Sequence, residues 1–159
     1  MSASPNMKNP FHLLAFGFGS GLAPKAPGTF GTIAALPVWW LLLDGMPLLP
    51  YLGILVAGLA LGVVVCEITS RDMGVHDHGG IVWDEWIGLW IALTALPAMD
   101  GHNWWALYGF ALFRFFDILK PWPINWLDQR VKGGFGIMID DVLAGVMAFV
   151  VLQLTALVI

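Results

Sequence analysis

Two apolar runs, residues 48–68 and 142–159, limit what this 159-residue chain can fold into. Each approaches the roughly 20 residues an α-helix needs to cross a hydrocarbon layer. Three shorter runs accompany them: 30–43, which contains Pro37, then 87–99 and 104–119. At 1.5 Å rise per residue these reach roughly 20–24 Å, so they must borrow their polar flanks or thin the bilayer. The third also reads as a buried, half-inserted helix. Charged residues make up 11% of the chain, against about 25% in soluble domains. So few charges cannot cover a water-facing surface, and lipid is the better solvent. Nine Trp fit the same reading, since indoles gather at membrane interfaces. The expectation is a single domain over 1–159: an all-α integral membrane bundle of about five hydrophobic helices. A net charge of −4 argues against nucleic acid as partner. Cys66, the only cysteine, reads as a small buried hydrophobe.

The charges test that layout. If each run crosses once, residues 1–31, 69–86 and 120–141 share one side. That side holds Lys8, Lys25, Arg71, Lys120, Arg130 and Lys132, with Arg114 one turn inside it. The other side holds the turns Asp44-Gly45-Met46-Pro47 and Asp100-Gly101-His102-Asn103, with no Lys or Arg. The positive-inside rule makes the first side cytoplasmic. Most acids fall there too, leaving the centres of the runs almost free of charge. A transporter more often places ionisable groups near the midplane, so the pattern favours an enzyme at the lipid surface.

Four groups of residues carry candidate chemistry. The glycine-rich stretch from Gly17 to Gly31, with Lys25 and Thr29, can turn backbone N–H groups toward an anion at a helix start; it also reads as a flexible lead-in with a threonine cap. Asp84-Glu85 and Asp140-Asp141 are acidic pairs expected at the starts of the third and fifth helices. One acid would suffice to cap each helix; two adjacent acids suggest a hard cation such as Mg²⁺. Asp117 stands near a helix C-terminus, where the dipole disfavours an anion, between Arg114 and Lys120 at spacing three. That triad reads either as a local salt bridge or as an acid between two phosphate-binding cations. His76-Asp77-His78 reads as an exposed turn, and Glu67 with Arg71 as a surface ion pair. No phosphocysteine loop, phosphoaspartate motif or Gly-x-Ser-x-Gly elbow is present, which leaves metal-assisted attack by water. The alternative is a small membrane transporter or ion-binding protein using the same acidic cluster.

Four stretches together resemble the phosphatidylglycerophosphatase A family. They are Gly19-Ser20-Gly21-Leu22-Ala23-Pro24-Lys25-Ala26-Pro27-Gly28-Thr29-Phe30-Gly31; Asp72 to Asp77 followed by Ile81-Val82-Trp83-Asp84-Glu85; Arg114-Phe115-Phe116-Asp117-Ile118-Leu119-Lys120-Pro121-Trp122-Pro123-Ile124; and Gly133 through Asp140-Asp141 to Gly145. Their order and spacing match, and they cover most of the chain. The resemblance implies Mg²⁺-dependent removal of the terminal phosphate of phosphatidylglycerophosphate at the bacterial cytoplasmic (inner) membrane. On this reading Asp84, Asp140 and Asp141 hold Mg²⁺, and Glu85 or Asp117 activates water. Lys25, Thr29, Arg114 and Lys120 bind the phosphate.

Overall fold

The computed structural model describes residues 4–96 and 102–159. The described residues are helical, with no strand. Seven α-helices follow in order: α1 Pro10–Ala15, α2 Pro27–Leu42, α3 Leu48–Met73, α4 Trp83–Ala92, α5 His102–Leu119, α6 Ile124–Asp128 and α7 Gly133–Val158. A short 3-10 segment, Gly17–Leu22, links α1 to α2. Four of the five apolar runs appear as α2, α3, α5 and α7, within a few residues at most of their ends. The 142–159 run is the exception at its start, because α7 begins nine residues earlier. The expected turn at Asp100-Gly101 lies outside the described residues.

Two helices, α3 and α7, are long and apolar enough to cross a membrane. Each has 26 residues, about 39 Å of helix. The third run is not a full-length helix and matches its other reading, a buried one. Its helix starts at Trp83 and ends at Ala92, ten residues or about 15 Å, too short to cross alone. Nearly every residue of α4 is buried, because α2, α3, α5 and α7 all pack around it.

Helix α4 can sit there because glycines remove the side chains between backbones. A methyl on Gly145 of α7 would lie 2.3 Å from the carbonyl oxygen of Gly88 on α4. Added to Gly88 it would meet the Phe113 ring at 2.5 Å and the Asp141 carbonyl oxygen at 2.7 Å. Likewise Gly134 of α7 meets the Val63 carbonyl of α3, and Gly58 makes room for Ile87. Small residues at crossings are how helices approach closely in apolar surroundings.

Indole N–H groups then tie the helices together. Trp83 donates to the Gly58 carbonyl (3.0 Å) and Trp90 to the Ala35 carbonyl (3.2 Å). Trp39 donates to the Tyr51 hydroxyl (3.0 Å). The tryptophans are therefore not simply an interfacial belt: Trp39, Trp83, Trp86 and Trp90 are buried, while Trp104 and Trp122 are exposed. Trp83 and Trp90 fill the core with their one donor satisfied by a carbonyl, and Trp39 with its donor on a hydroxyl. Cys66 is buried, as expected.

The helices α2, α3, α4, α5 and α7 run alternately between two ends of the molecule. At one end Asp44 pairs with His102 (2.8 Å), and Gln153 donates to the Ala95 carbonyl (3.0 Å). At the other end Gly134 donates to Glu67 (2.6 Å) and His12 pairs with Asp72 (3.1 Å). Between the ends the outer surface is apolar: Ile33 of α2, Val56 of α3 and Val150 of α7 are exposed. Such a band is costly in water and neutral in hydrocarbon.

The α4–α7 crossing sets a test. Gly145→Ala is expected to destabilise the fold by about 1–3 kcal/mol, because a backbone carbonyl rather than a flexible side chain must move. Thermal unfolding in detergent measures it; an unchanged midpoint would contradict the close approach.

Candidate active site

The acids converge at the end that holds Arg71 and Lys120. Asp84 and Glu85 occupy the first turn of α4, as their spacing suggests. Asp140 and Asp141 do not start a helix. The sequence Gly133-Gly134-Phe135-Gly136 reads as a loop but forms the first turn of α7, so both acids lie two turns in. Capping therefore explains neither. Asp84, Glu85, Asp140 and Asp141 are all buried, at 4–9% exposure. Together with Asp77, Gly79, Ile81, Asp117, Lys120 and Ile137 they line a cavity of about 120 Å³.

Adjacent positions on a helix point about 100° apart, and α7 uses that to serve two groups. Asp141 faces α4, where its carboxyl lies within hydrogen-bonding reach of Asp84. Asp140, turned from it by that angle but lining the same cavity, accepts from Lys120 Nζ at 3.1 Å. Lys120 also reaches Asp128 Oδ1 at 3.2 Å. Burial works to lower the Lys120 pKa, but the carboxylates of Asp140 and Asp128 outweigh it and hold the ammonium above its usual range. Asp128 is held below the ordinary carboxylate range by hydrogen bonding with Asp140 and by Lys120, against a smaller opposing effect of burial.

Arg114 builds the second group. It is half-buried on α5 and pairs with Asp117 one turn away, with Glu85 Oε1 at 3.2 Å, and with the Thr29 hydroxyl at 3.3 Å. One guanidinium thus joins α5, α4 and α2. Glu85 in turn lies against Gly28: a methyl there would sit 2.1 Å from its Oε1. The start of α2, where Thr29 lies, therefore opens toward the acidic cavity.

The glycine stretch is otherwise occupied with packing. Gly21 fits under the Gly80 carbonyl, and Gly31 and Gly17 against Val82. These contacts press residues 17–31 onto the segment leading into α4, so Gly17, Gly21 and Gly31 serve close approach rather than an open anion nest. Lys25 is exposed, and its side chain makes no hydrogen bond or ion pair among the described residues. The structure thus brings together Asp84, Glu85, Asp117, Asp140, Asp141, Thr29, Arg114 and Lys120, and leaves Lys25 outside.

Two acids were not singled out by sequence. Asp77, within the turn set aside as exposed, lines the cavity; its neighbour His76 is also engaged, accepting from the Gly133 N–H at 3.0 Å. Asp128 belongs to α6, a single turn with no hydrophobic periodicity to reveal it. Glu67 does pair with Arg71 (3.0 Å), and it also receives the Gly134 N–H of α7.

The carboxylates suit a hard cation in their chemistry. Glu85 Oε2, Asp140 Oδ1 and Asp141 Oδ1 are buried without a hydrogen-bond partner among the described residues, and such oxygens call for a cation or donor. Among the described residues no group of three or more acidic, His or Cys side chains is arranged to hold a metal ion as it stands. Mg²⁺ does not require one, since it keeps several waters and takes one or two carboxylates plus substrate phosphate.

Comparison with known proteins bears on this arrangement. The family model described as phosphatidylglycerophosphatase A matches residues 13–156. Phosphatidylglycerophosphatase A of Escherichia coli is 54% identical over 142 residues, covering 89% of this chain and 81% of the relative. That of Haemophilus influenzae is 50% identical over 146 residues, 92% and 88% of the two chains. A Bacteroides thetaiotaomicron relative, provisionally named a phosphatidylinositol-3-phosphatase, is 40% identical over 147 residues, 88% and 89%. No solved structure matches the chain. With a family match over nearly its whole length and relatives at half identity or more, the chain belongs to the phosphatidylglycerophosphatase A family.

Proposed function

We propose that this chain hydrolyses the terminal phosphomonoester of phosphatidylglycerophosphate, giving phosphatidylglycerol and inorganic phosphate, as a step of phospholipid synthesis. The observation that carries the reading is the cavity lined by four buried carboxylates and Lys120, with Arg114 paired to its Glu85. The family membership names the substrate class, and the chemistry of the side chains fits it.

The protein sits in the cytoplasmic membrane of a bacterium, crossed by α2, α3, α5 and α7 and by α4 with its following turn. Support comes from the alternation of the five helices between two ends and from the apolar band between them. Every Lys and Arg belongs to the acidic end or lies close to it, which orients that end to the cytoplasm. A helix of about 39 Å exceeds a 30 Å hydrocarbon layer by about 9 Å. That excess sets the acids of α7 near the boundary between headgroups and acyl chains.

Asp84, Asp140 and Asp141 would hold Mg²⁺, which supplies charge neutralisation at the phosphate oxygens. Arg114 and Lys120 bind the phosphate oxygens and Thr29 offers a hydroxyl. Glu85 takes the proton from the attacking water: its Oε2 has no partner, whereas Asp117 is engaged in holding Arg114. The water oxygen bonds to phosphorus, the ester P–O bond breaks, the departing alkoxide takes up a proton from solvent water, and Glu85 returns its proton to solvent as phosphate is released. Lys25 is too exposed to contribute to this arrangement and would meet substrate only as it approaches.

A transporter would need a polar path between the two ends. The buried centre of α4 beyond Glu85, Trp86-Ile87-Gly88-Leu89-Trp90, offers none.

Purified protein in detergent is expected to release phosphate from phosphatidylglycerophosphate with Mg²⁺ and to stop after exhaustive chelation. Asp84→Asn should lower kcat by about 10²–10⁴-fold while remaining folded. Full activity in the chelated enzyme would remove the metal from the scheme, and an active variant would remove Asp84. Arg114→Met tests the second group: it leaves Glu85 and Asp117 without their cation. The expected loss is about 3–5 kcal/mol of stability, read from thermal unfolding. An unaffected midpoint would show that the three-helix junction does not depend on this charge.

A further inference from the structure

We propose that Asp128 is a positioning residue that aims the Lys120 ammonium into the mouth of the acidic cavity and so sets the affinity for the substrate phosphate. The proposal rests on the phosphatase reading and extends it to a residue outside the buried cluster.

Lys120 is the cation of the cavity wall. Its backbone is fixed just past the end of α5: φ is +42° and its N–H bonds the Phe116 carbonyl at 2.9 Å. The side chain beyond that root is a flexible four-carbon stem, whose ammonium carries three donors. One goes to Asp140 Oδ2 at 3.1 Å and one to Asp128 Oδ1 at 3.2 Å, which leaves the third for a ligand in the cavity. With Asp140 alone, nothing would hold the stem: the ammonium could collapse onto that carboxylate or swing into solvent.

Asp128 supplies the second fixed point. It ends α6, whose Ile124 is fully buried and whose turn packs on α7. The Lys120 side chain is 31% exposed and that of Asp128 42%, against 8% for Asp140. An ion pair this open adds little to stability. What it does fix is where the charge stands, between the buried acid and the rim. Asp77, Asp117 and Asp141 also line the cavity, so a phosphate dianion entering it meets one ammonium among many carboxylates.

The test combines kinetics with equilibrium binding of inorganic phosphate to the full chain in detergent at fixed Mg²⁺. Asp128→Asn is expected to raise both KM for the lipid and Kd for phosphate by about tenfold, equivalent to 1.4 kcal/mol, with kcat nearly unchanged. In a Lys120→Met background the same change should have no further effect on phosphate binding, because Asp128 acts only through Lys120. Asp128→Glu keeps the charge but moves it by one methylene, and should raise KM by a smaller factor. Unchanged or tighter phosphate binding in Asp128→Asn would overturn the proposal, as would equal losses in both backgrounds. Phosphate binding needs no turnover. A chain that shows this non-additivity yet fails to hydrolyse the lipid would discard the phosphatase reading and keep the role of Asp128.

Discussion

The contact between the backbones of α4 and α7, at Gly88 and Gly145, decides the rest of the architecture. It allows a ten-residue helix to be enclosed by four others, and it brings the first turn of α4 to the level of the third turn of α7. Asp84 and Asp141 meet for that reason. Wider spacing between the helices would leave each acid facing solvent or lipid by itself. The glycines are thus as much part of the site as the acids, although they touch no ligand.

The charges fall into two linked groups. Arg114 gathers Glu85, Asp117 and Thr29 from three helices, and Lys120 gathers Asp140 and Asp128 from two more. Asp84 and Asp141 lie between them without a cation of their own. Each Arg or Lys balances part of the negative charge, and the remainder is left at the centre of the cavity. An anionic substrate can approach such a place only with its charge compensated, which is the physical argument for a divalent cation in the proposed mechanism.

Much of this was legible from residues. Hydropathy marked four of the five main helices and charge sorted their ends, because long apolar runs and their flanks report on solvent directly. The acids, Arg114 and Lys120 were found as pairs and triads at helical spacing. Other features depend on tertiary contacts. Gly133 to Gly136 looks like a loop by propensity, yet it opens α7, where Gly134 meets the Val63 carbonyl of α3 at a distance no side chain permits. The acids marked the start of α4, but its early end at Ala92 was hidden, because the apolar run continues past it to Met99. Asp77 and Asp128 carry no local pattern that separates them from surface acids, and only the folded chain places them beside the cavity. Lys25 looked placed by its glycine-rich context, but those glycines are spent on packing.

The orphaned oxygens of Glu85, Asp140 and Asp141 have a consequence for heat tolerance. Buried polar atoms without partners hold the folded chain below the stability its helix packing alone could reach. Any occupant that satisfies them adds its own binding free energy to the fold. Resistance to heat thus becomes a readout of occupancy: the resting protein is the fragile form, and the loaded one the robust form. The same frustration makes this corner of the bundle the place where a neutral substitution can harden the protein while silencing it, a trade that selection for activity keeps from being made.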